Sequence, residues 1–336
     1  AEAIIRDLDP SRIVYHHSGG DFGDAYTSNF YINFVPIQER SDWFEPWAAR
    51  GVKPLFLCEF GMPYFLDWTM YRGWYKGERA WGSASVPFEF CLAEWNAQWL
   101  GDRAFQVGEM EKKNLRWEAP KFRTGQVWHH WDYPAKLYSP AFEGQQEVLS
   151  RYTADNWRAF RTWGVSGTSP WNFDWFWQGR NGVDRNRRNL PVDWDNLQRP
   201  GFSPDFIDQQ YERMDLAFAR ADWTPTSAGQ ALLRNNRPLL AYLGGTAGAF
   251  TEKGHNFIPG ETIEKQLIMV NNCRETVEGD CSWSLDLPVV QSGRAKIVLP
   301  TGEIHKRPLK FALPSDLSPG VHTINLTVKF GSRETQ

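Results

Sequence analysis

The chain has 336 residues, too many for one typical core and enough for two domains. Its 37 basic and 40 acidic residues give a formal charge of −3, and the absence of a basic stripe excludes nucleic acid as a partner. No apolar run is long enough to cross a membrane as a helix, which excludes a membrane partner of that kind.

The first residues, AEAIIRDLDPSR, read as the last turns of an amphipathic helix running into a turn, with Ile4, Ile5 and Leu8 forming an apolar face. No partner element for that face is evident downstream. The expectation is a chain that begins inside a domain: a fragment, a processed product, or a gene lacking its 5′ part. Ile13–Tyr15 then reads as a strand after the Asp9-Pro10 turn, and Asn29–Val35 as a second, ending at Pro36. Glu39–Arg50 has a helical pattern with Trp43, Phe44 and Trp47 on one side. Val52–Cys58 (VKPLFLC) is a third strand, apolar at successive positions as a strand buried on both faces requires. Strand, helix, strand at this spacing is the βαβ pattern of a parallel sheet.

A long interval separates this from the next strand, Val165–Trp171. It holds helical patterns over Phe88–Leu100 and Glu147–Trp163 and a loop that includes Trp128-His129-His130-Trp131-Asp132-Tyr133-Pro134. Connections of that length are functional or separately packed insertions. Pro204–Ala221 reads as a helix, and Thr224–Gly248, rich in Gly, Pro and Asn, as a linker. Beyond it the period changes to two. Thr262–Asn271, Cys281–Leu287, Arg294–Leu299, Leu309–Leu313 and Thr323–Phe330 predict a β-sandwich.

Glu59 is the sharpest candidate for chemistry. A carboxylate directly after a buried apolar strand lies at the strand's C-terminal end, the rim at which α/β barrels build their sites, and a charge there costs desolvation unless it has partners or a task. The same pattern also suits a Glu that caps a loop or pairs with an Arg. The 18 Trp residues are as consistent with sugar stacking as with a large core. His16 and His17 end the Ile13–Tyr15 strand, and one of the two is expected to reach the rim, as a sugar ligand or as a His satisfied in the wall. Neither the four Cys nor His16, His17, His129 and His130 have the spacing of a metal site, so neither metal nor cofactor is expected. Cys273 and Cys281, eight apart, suit a cross-strand pair or two buried thiols equally.

The order DPSRIVYHHSGG, NFYINFVP, RGVKPLFLCEFG and GTSPWNFDW resembles the fifth to eighth strands of retaining β-glycosidase barrels, nearest to the β-galactosidase and β-glucuronidase group, glycoside hydrolase family two. The resemblance covers Ala1 to about Gln178. It implies an α/β fold: the C-terminal half of a TIM barrel over 1–243, with an insertion over about 62–164, then an immunoglobulin-like β-sandwich over 248–336. It implies hydrolysis of a β-linked, galactoside-like sugar by double displacement, with Glu59 as the nucleophile in LFLCEFG. It places Tyr31 and Asn33 near the nucleophile on the sixth strand, and Trp171, Asn172 and Asp174 at the sugar on the eighth, with Trp175 packing. Trp128 and Trp131 suit outer subsites or a packed loop, the packed loop being preferred. In the family the general acid is a Glu after an Asn on the fourth strand. No Asn-Glu dipeptide occurs in this sequence, so that residue is expected upstream of Ala1, on the missing half of the barrel, as part of the same gene or as a separate chain. Glu89 and Glu94 could replace it only from a helix folded over the rim. A reading of another class is a non-catalytic carbohydrate-binding remnant, or one chain of a split enzyme.

Overall fold

The computed structural model describes residues 1–30, 42–60, 83–84, 97–106, 108–126, 128–129, 132–135, 144–170, 173–182, 189–190, 195, 202–206, 209–212, 220–252, 254 and 256–336. Among them the chain is a mixture of helices, one parallel sheet and several antiparallel sheets.

Helix α1 (Glu2–Leu8) leaves Ile4, Ile5 and Leu8 exposed, so its apolar face is uncovered, as the sequence pattern implies. The expected strand at Ile13–Tyr15 does not form a ladder; only Tyr15 makes a bridge, to Gly23. The reason is local. The Asp24 carboxylate accepts the Val14 amide at 2.7 Å while the Asp24 amide donates to the Val14 carbonyl at 2.8 Å, which closes a tight loop. The Arg6 guanidinium, 2.8 Å away, holds the Asp24 carboxyl below the usual carboxylate range.

Strand β1 (Tyr26–Phe30) begins three residues before the predicted one, whose remainder, 31–35, lies outside the described residues. After a 3-10 turn at Asp42–Phe44 come α2 (Glu45–Arg50) and β2 (Leu55–Phe60). Here the apolar run behaves as predicted but sits further along: Val52 is exposed, and the strand runs through Glu59 to Phe60. In the long connection, β3 (Ser83–Ala84) pairs with β4 (Trp128–His129) across α3 (Glu109–Arg123). Helix α4 (Gln145–Trp163) follows, then β5 (Gly167–Pro170). Of the helix expected at Phe88–Leu100, residues 97–100 are described and helical. Strands β1, β2 and β5 form one parallel sheet in that order.

Helix α4 covers one face of this sheet. Val148, Leu149, Tyr152, Asn156, Ala159 and Phe160 recur at three- and four-residue steps and are buried. It ends where Gly164 turns left-handed (φ +73°); its amide bonds Arg161 O and the Val165 amide bonds Phe160 O, the Schellman closure. At its start Glu147 accepts from Arg103 at 2.6 Å and Arg151 at 2.5 Å, and the Arg103 bond holds its carboxyl below the ordinary value of 4.5. A depressed folded pKa gives stability that is present above pH about 4.5 and lost as pH falls through the folded value. Because the group is a third exposed, Glu147→Gln is expected to lower stability at pH 7 by less than about 1 kcal/mol. Urea midpoints of the variant and parent should converge toward pH 3; a gap that persists in acid would show that the charge is not the cause.

Helix α5 (Phe173–Phe176) leads into β6 (Trp177–Gly179), and the short strands β7 (Asn189–Leu190), β8 (Phe202–Phe206) and β9 (Gln209–Glu212) form a further sheet. Of the helix predicted over Pro204–Ala221, residues 204–206 and 209–212 are strand instead, and 207–208 and 213–219 lie outside the described residues. Pro204 holds the preceding residue extended. The predicted linker is also structured. Strand β10 (Trp223–Pro225) pairs with β6, α6 (Ser227–Asn235) follows, and β11 (Leu239–Gly244) pairs along its length with β12 (Thr262–Asn271). Its Thr226 and Asn236 are the two caps of α6. The Thr226 hydroxyl accepts the Gly229 amide at 3.1 Å and donates to Trp175 O at 2.7 Å. Thr226→Ala is expected to cost about 1–2 kcal/mol, read as a shift in urea midpoint; no shift would mean that this cap is replaced by water without loss.

Strands β13 (Val277–Leu285), β14 (Gln291–Leu299), β15 (Ile304–Ala312), β16 (Ile324–Phe330) and β17 (Glu334–Thr335) complete two antiparallel sheets, β11-β12-β15 and β14-β13-β16-β17. Leu267, Met269, Leu285, Leu299, Phe311, Val328 and Phe330 fill one core that draws on both sheets, a β-sandwich as the period-two pattern predicts. Cys273 and Cys281 are not joined: the Cys281 sulfur lies 3.7 Å from Met269 Sδ, and Cys273 accepts from Arg333. Arg161 ties α4 to both the end of α6 and the sandwich, donating to Asn235 O, Pro238 O and Asn272 Oδ1 at 2.8, 3.0 and 2.7 Å. Burial lowers its pKa to about 10.

Candidate active site

Strand β2 decides where Glu59 points. Strict alternation along Leu55-Phe56-Leu57-Cys58-Glu59-Phe60 would put Glu59 on the side of Leu55 and Leu57, against the α4 core. Pairing with β1 runs Ser28–Leu57 and then Asn29–Glu59, leaving Cys58 without a partner. Pairing with β5 shows the same shift, from Leu57–Thr168 to Phe60–Pro170. One extra residue in β2 is a β-bulge, and bulges re-aim side chains. Phe60 joins Leu55 and Leu57 in the core, and Glu59 turns away from it, at 24% side-chain exposure. The carboxylate is thereby reachable at the C-terminal end of the central strand.

Opposite it stands His17. Its Nε2 lies 2.9 Å from Glu59 Oε1, a distance at which an Nε2–H donates to the carboxylate. The loop carrying His17 is fixed to β1. Gly20 and Thr27 exchange backbone bonds of 3.0 and 2.9 Å, the Thr27 hydroxyl donates to His16 O and accepts the Gly19 amide, and the Asn29 amide donates to Ser18 Oγ. Ser18 at φ 51° is the one non-glycine residue with positive φ among the described residues, the reversal that lets the two histidines diverge. His16 faces the other way, 3.5 Å from Glu2 Oε2, within the Glu2–Arg6–Asp24 ion pairs. The two histidines are thus separated: His17 is brought to Glu59 and His16 is not.

Asn29 was not among the sequence candidates. It is the register partner of Glu59, and its side-chain oxygen is buried with no hydrogen-bond donor. Its only sequence signal is its position on the predicted strand. Thr168 on β5 carries a second such hydroxyl. Tyr31, Asn33, Trp171 and Asn172 lie outside the described residues, as do Glu89, Glu94, His130 and Trp131, and the side chain of Asp174 in α5 is likewise outside. Trp175 packs against the α4 core. Trp128 is buried, donating to Tyr133, whose hydroxyl donates to buried Glu118, so it packs its loop. No cluster of His, Cys, Asp and Glu suited to a metal occurs among the described residues.

No family model matches the sequence, and no curated protein matches it. Solved structures with slight likeness include glycoside hydrolases. A β-glucosidase from Listeria innocua aligns at 12% identity and a TM-score of 0.22, over 29% of this chain and 15% of that one. A family 123 glycoside hydrolase from Clostridium perfringens aligns at 9% identity and 0.22, over 30% of this chain and 26% of that one. A sporulation control protein from Bacillus subtilis reaches 13% identity and 0.17, over 29% and 44%. The match thus spans well under half of either hydrolase, and likeness at these scores carries no argument about fold or activity.

Proposed function

We propose that this chain supplies the nucleophile of a retaining β-glycosidase, and that Glu59 is that nucleophile. The observation that carries the reading is the bulge in β2, which turns Glu59 off the core face at the strand's C-terminal end, where His17 bonds it at 2.9 Å. The sequence resemblance points to the same residue from an independent direction.

In the proposed chemistry a Glu59 oxygen attacks the anomeric carbon as the bond to the leaving oxygen breaks, giving a covalent glycosyl-enzyme. A second carboxylate, about 5 Å away, protonates the leaving oxygen and then takes a proton from the water that frees the sugar. His17 donates to the oxygen it touches and so fixes the carboxylate's orientation. Three parallel strands in sequential order are consistent with the sixth to eighth strands of a barrel. On this reading the remaining strands and the Asn-Glu acid come from the rest of the gene or from a partner chain, and the sandwich is an immunoglobulin-like accessory unit. Tyr31, Asn33, Trp171, Asn172 and Asp174 are proposed sugar contacts, and the substrate a β-galactoside-like sugar.

A 2,4-dinitrophenyl 2-deoxy-2-fluoro-β-galactoside tests the assignment, because its leaving group needs no proton donor. The expected result is a stoichiometric adduct on the peptide containing Glu59, absent from Glu59→Gln. An adduct on another residue, or one that survives the substitution, would overturn the assignment. No adduct in a chain that still binds galactosides would favour the carbohydrate-binding reading, which the lack of an Asn-Glu pair supports.

A further inference from the structure

We propose that the cleft between α4 and the β-sandwich binds a short neutral oligosaccharide, at a site separate from Glu59. The cleft encloses about 810 Å³, within the range of about 300–1,000 Å³ typical of small-molecule sites. Asp155 and Arg158 of α4 form one wall. Glu252 and Phe257 come from the β11–β12 connection, Lys265 from β12, and His322 from the segment before β16.

Several of these groups have unused hydrogen-bonding capacity. Lys265 is 8% exposed, yet its ammonium makes one bond, to Gly254 O at 3.1 Å, and an ammonium has three N–H groups. His322 uses Nδ1 on Asp286 O at 3.0 Å, while its Nε2 is buried without a partner. Arg158 commits Nε to Asn235 Oδ1 and lies over the Tyr242 ring, 5.4 Å from its centre. Leaving buried donors and acceptors unmatched costs free energy that an occupant recovers.

Charge decides which occupant. Among the described lining residues two cations, Arg158 and Lys265, face two carboxylates, Asp155 and Glu252, and Glu252 would stand against a phosphate or a carboxylate ligand. Uncharged hydroxyls match the cleft, because each donates to a carboxylate and accepts from an ammonium or guanidinium. A sugar also has an apolar C–H face, and Phe257, 37% exposed, offers a ring to stack against it. Exposed Ile258 and Val321 extend that apolar surface along the rim.

Calorimetric titration of the 336-residue chain with lactose and cellobiose, and with citrate as the anionic control, tests the proposal. At least one disaccharide is expected to bind, with affinity at least about tenfold weaker in Phe257→Ala and in Lys265→Met. Phe257 is surface-exposed and Met keeps the lysine stem, so both variants are expected to melt as the parent does. The same two variants should still be labelled at Glu59, which keeps this site and the nucleophile assignment separately testable. Binding of neither sugar, sugar binding that both cleft variants leave intact, or preferential binding of citrate would each overturn the proposal.

Discussion

Glu59→Gln is expected to lower turnover of 2,4-dinitrophenyl β-galactoside by about 10⁴-fold or more, on the scale of losing a covalent nucleophile. The amide is isosteric and still accepts the His17 bond, but it cannot form a glycosyl ester that water then cleaves. Its effect on folding should be small, because Glu59 faces away from the core and is partly exposed. This separates the catalytic role from a merely structural ion pair with His17, in which case turnover would change by less than tenfold and any loss would follow stability. His17→Ala is expected to have a smaller effect than Glu59→Gln, since it removes orientation and not the attacking atom. Substrates with poor leaving groups should respond differently. They need a proton donor, worth about 10²–10⁴ in rate, and the resemblance places that donor on an Asn-Glu pair which this sequence lacks. Slow turnover of lactose beside measurable turnover of the dinitrophenyl glycoside is therefore expected from this chain, and equal turnover of the two would refute the upstream placement of the acid.

The sequence was legible where one local signal governs the outcome. The PLFLC run specified a buried parallel strand, the 147–163 pattern a helix, and period two the sandwich. The strand Thr262–Asn271 has the predicted limits. It was misread where Gly, Pro and Asn carry two meanings. In 224–248 they cap and flank a helix and a strand, and in 202–212 Pro204 falls at the irregularity of an antiparallel pair. For the site, the residue types could be read but their directions could not. Nothing in LFLCEF says that Cys58 is skipped in both ladders. The choice between Glu59 and Phe60 for the core face depends on α4, a hundred residues further on. The divergence of His16 and His17 likewise rests on the turn at Ser18 and on Glu2, a tertiary contact.

Phe60→Ala is expected to be among the most destabilising single changes in this part of the molecule, at about 3–5 kcal/mol. Phe60 is fully buried. Its ring stacks on Tyr152, with centroids 5.4 Å apart and planes 15° apart, and meets Trp157 and Phe160 edge-on at 5.6 and 5.3 Å. All three partners sit on α4, so truncation opens a cavity at the seam between helix and strand that an aromatic cluster of this rigidity cannot close. Phe60→Leu keeps most of the volume and should cost less, about 1–2 kcal/mol. The effect should also reach the site. Phe60 is the residue that takes the core position after the bulge, and without it a register slip of β2 that restores alternation loses its main penalty. That slip would carry Glu59 toward Leu55 and Leu57, so Phe60→Ala should lose turnover at temperatures where it remains folded, and Phe60→Leu should retain it. Urea midpoints together with turnover measured well below the melting transition test both parts. A cost under about 1 kcal/mol, or full turnover in the alanine variant, would mean that the bulge is held by something other than the packing of Phe60 on α4.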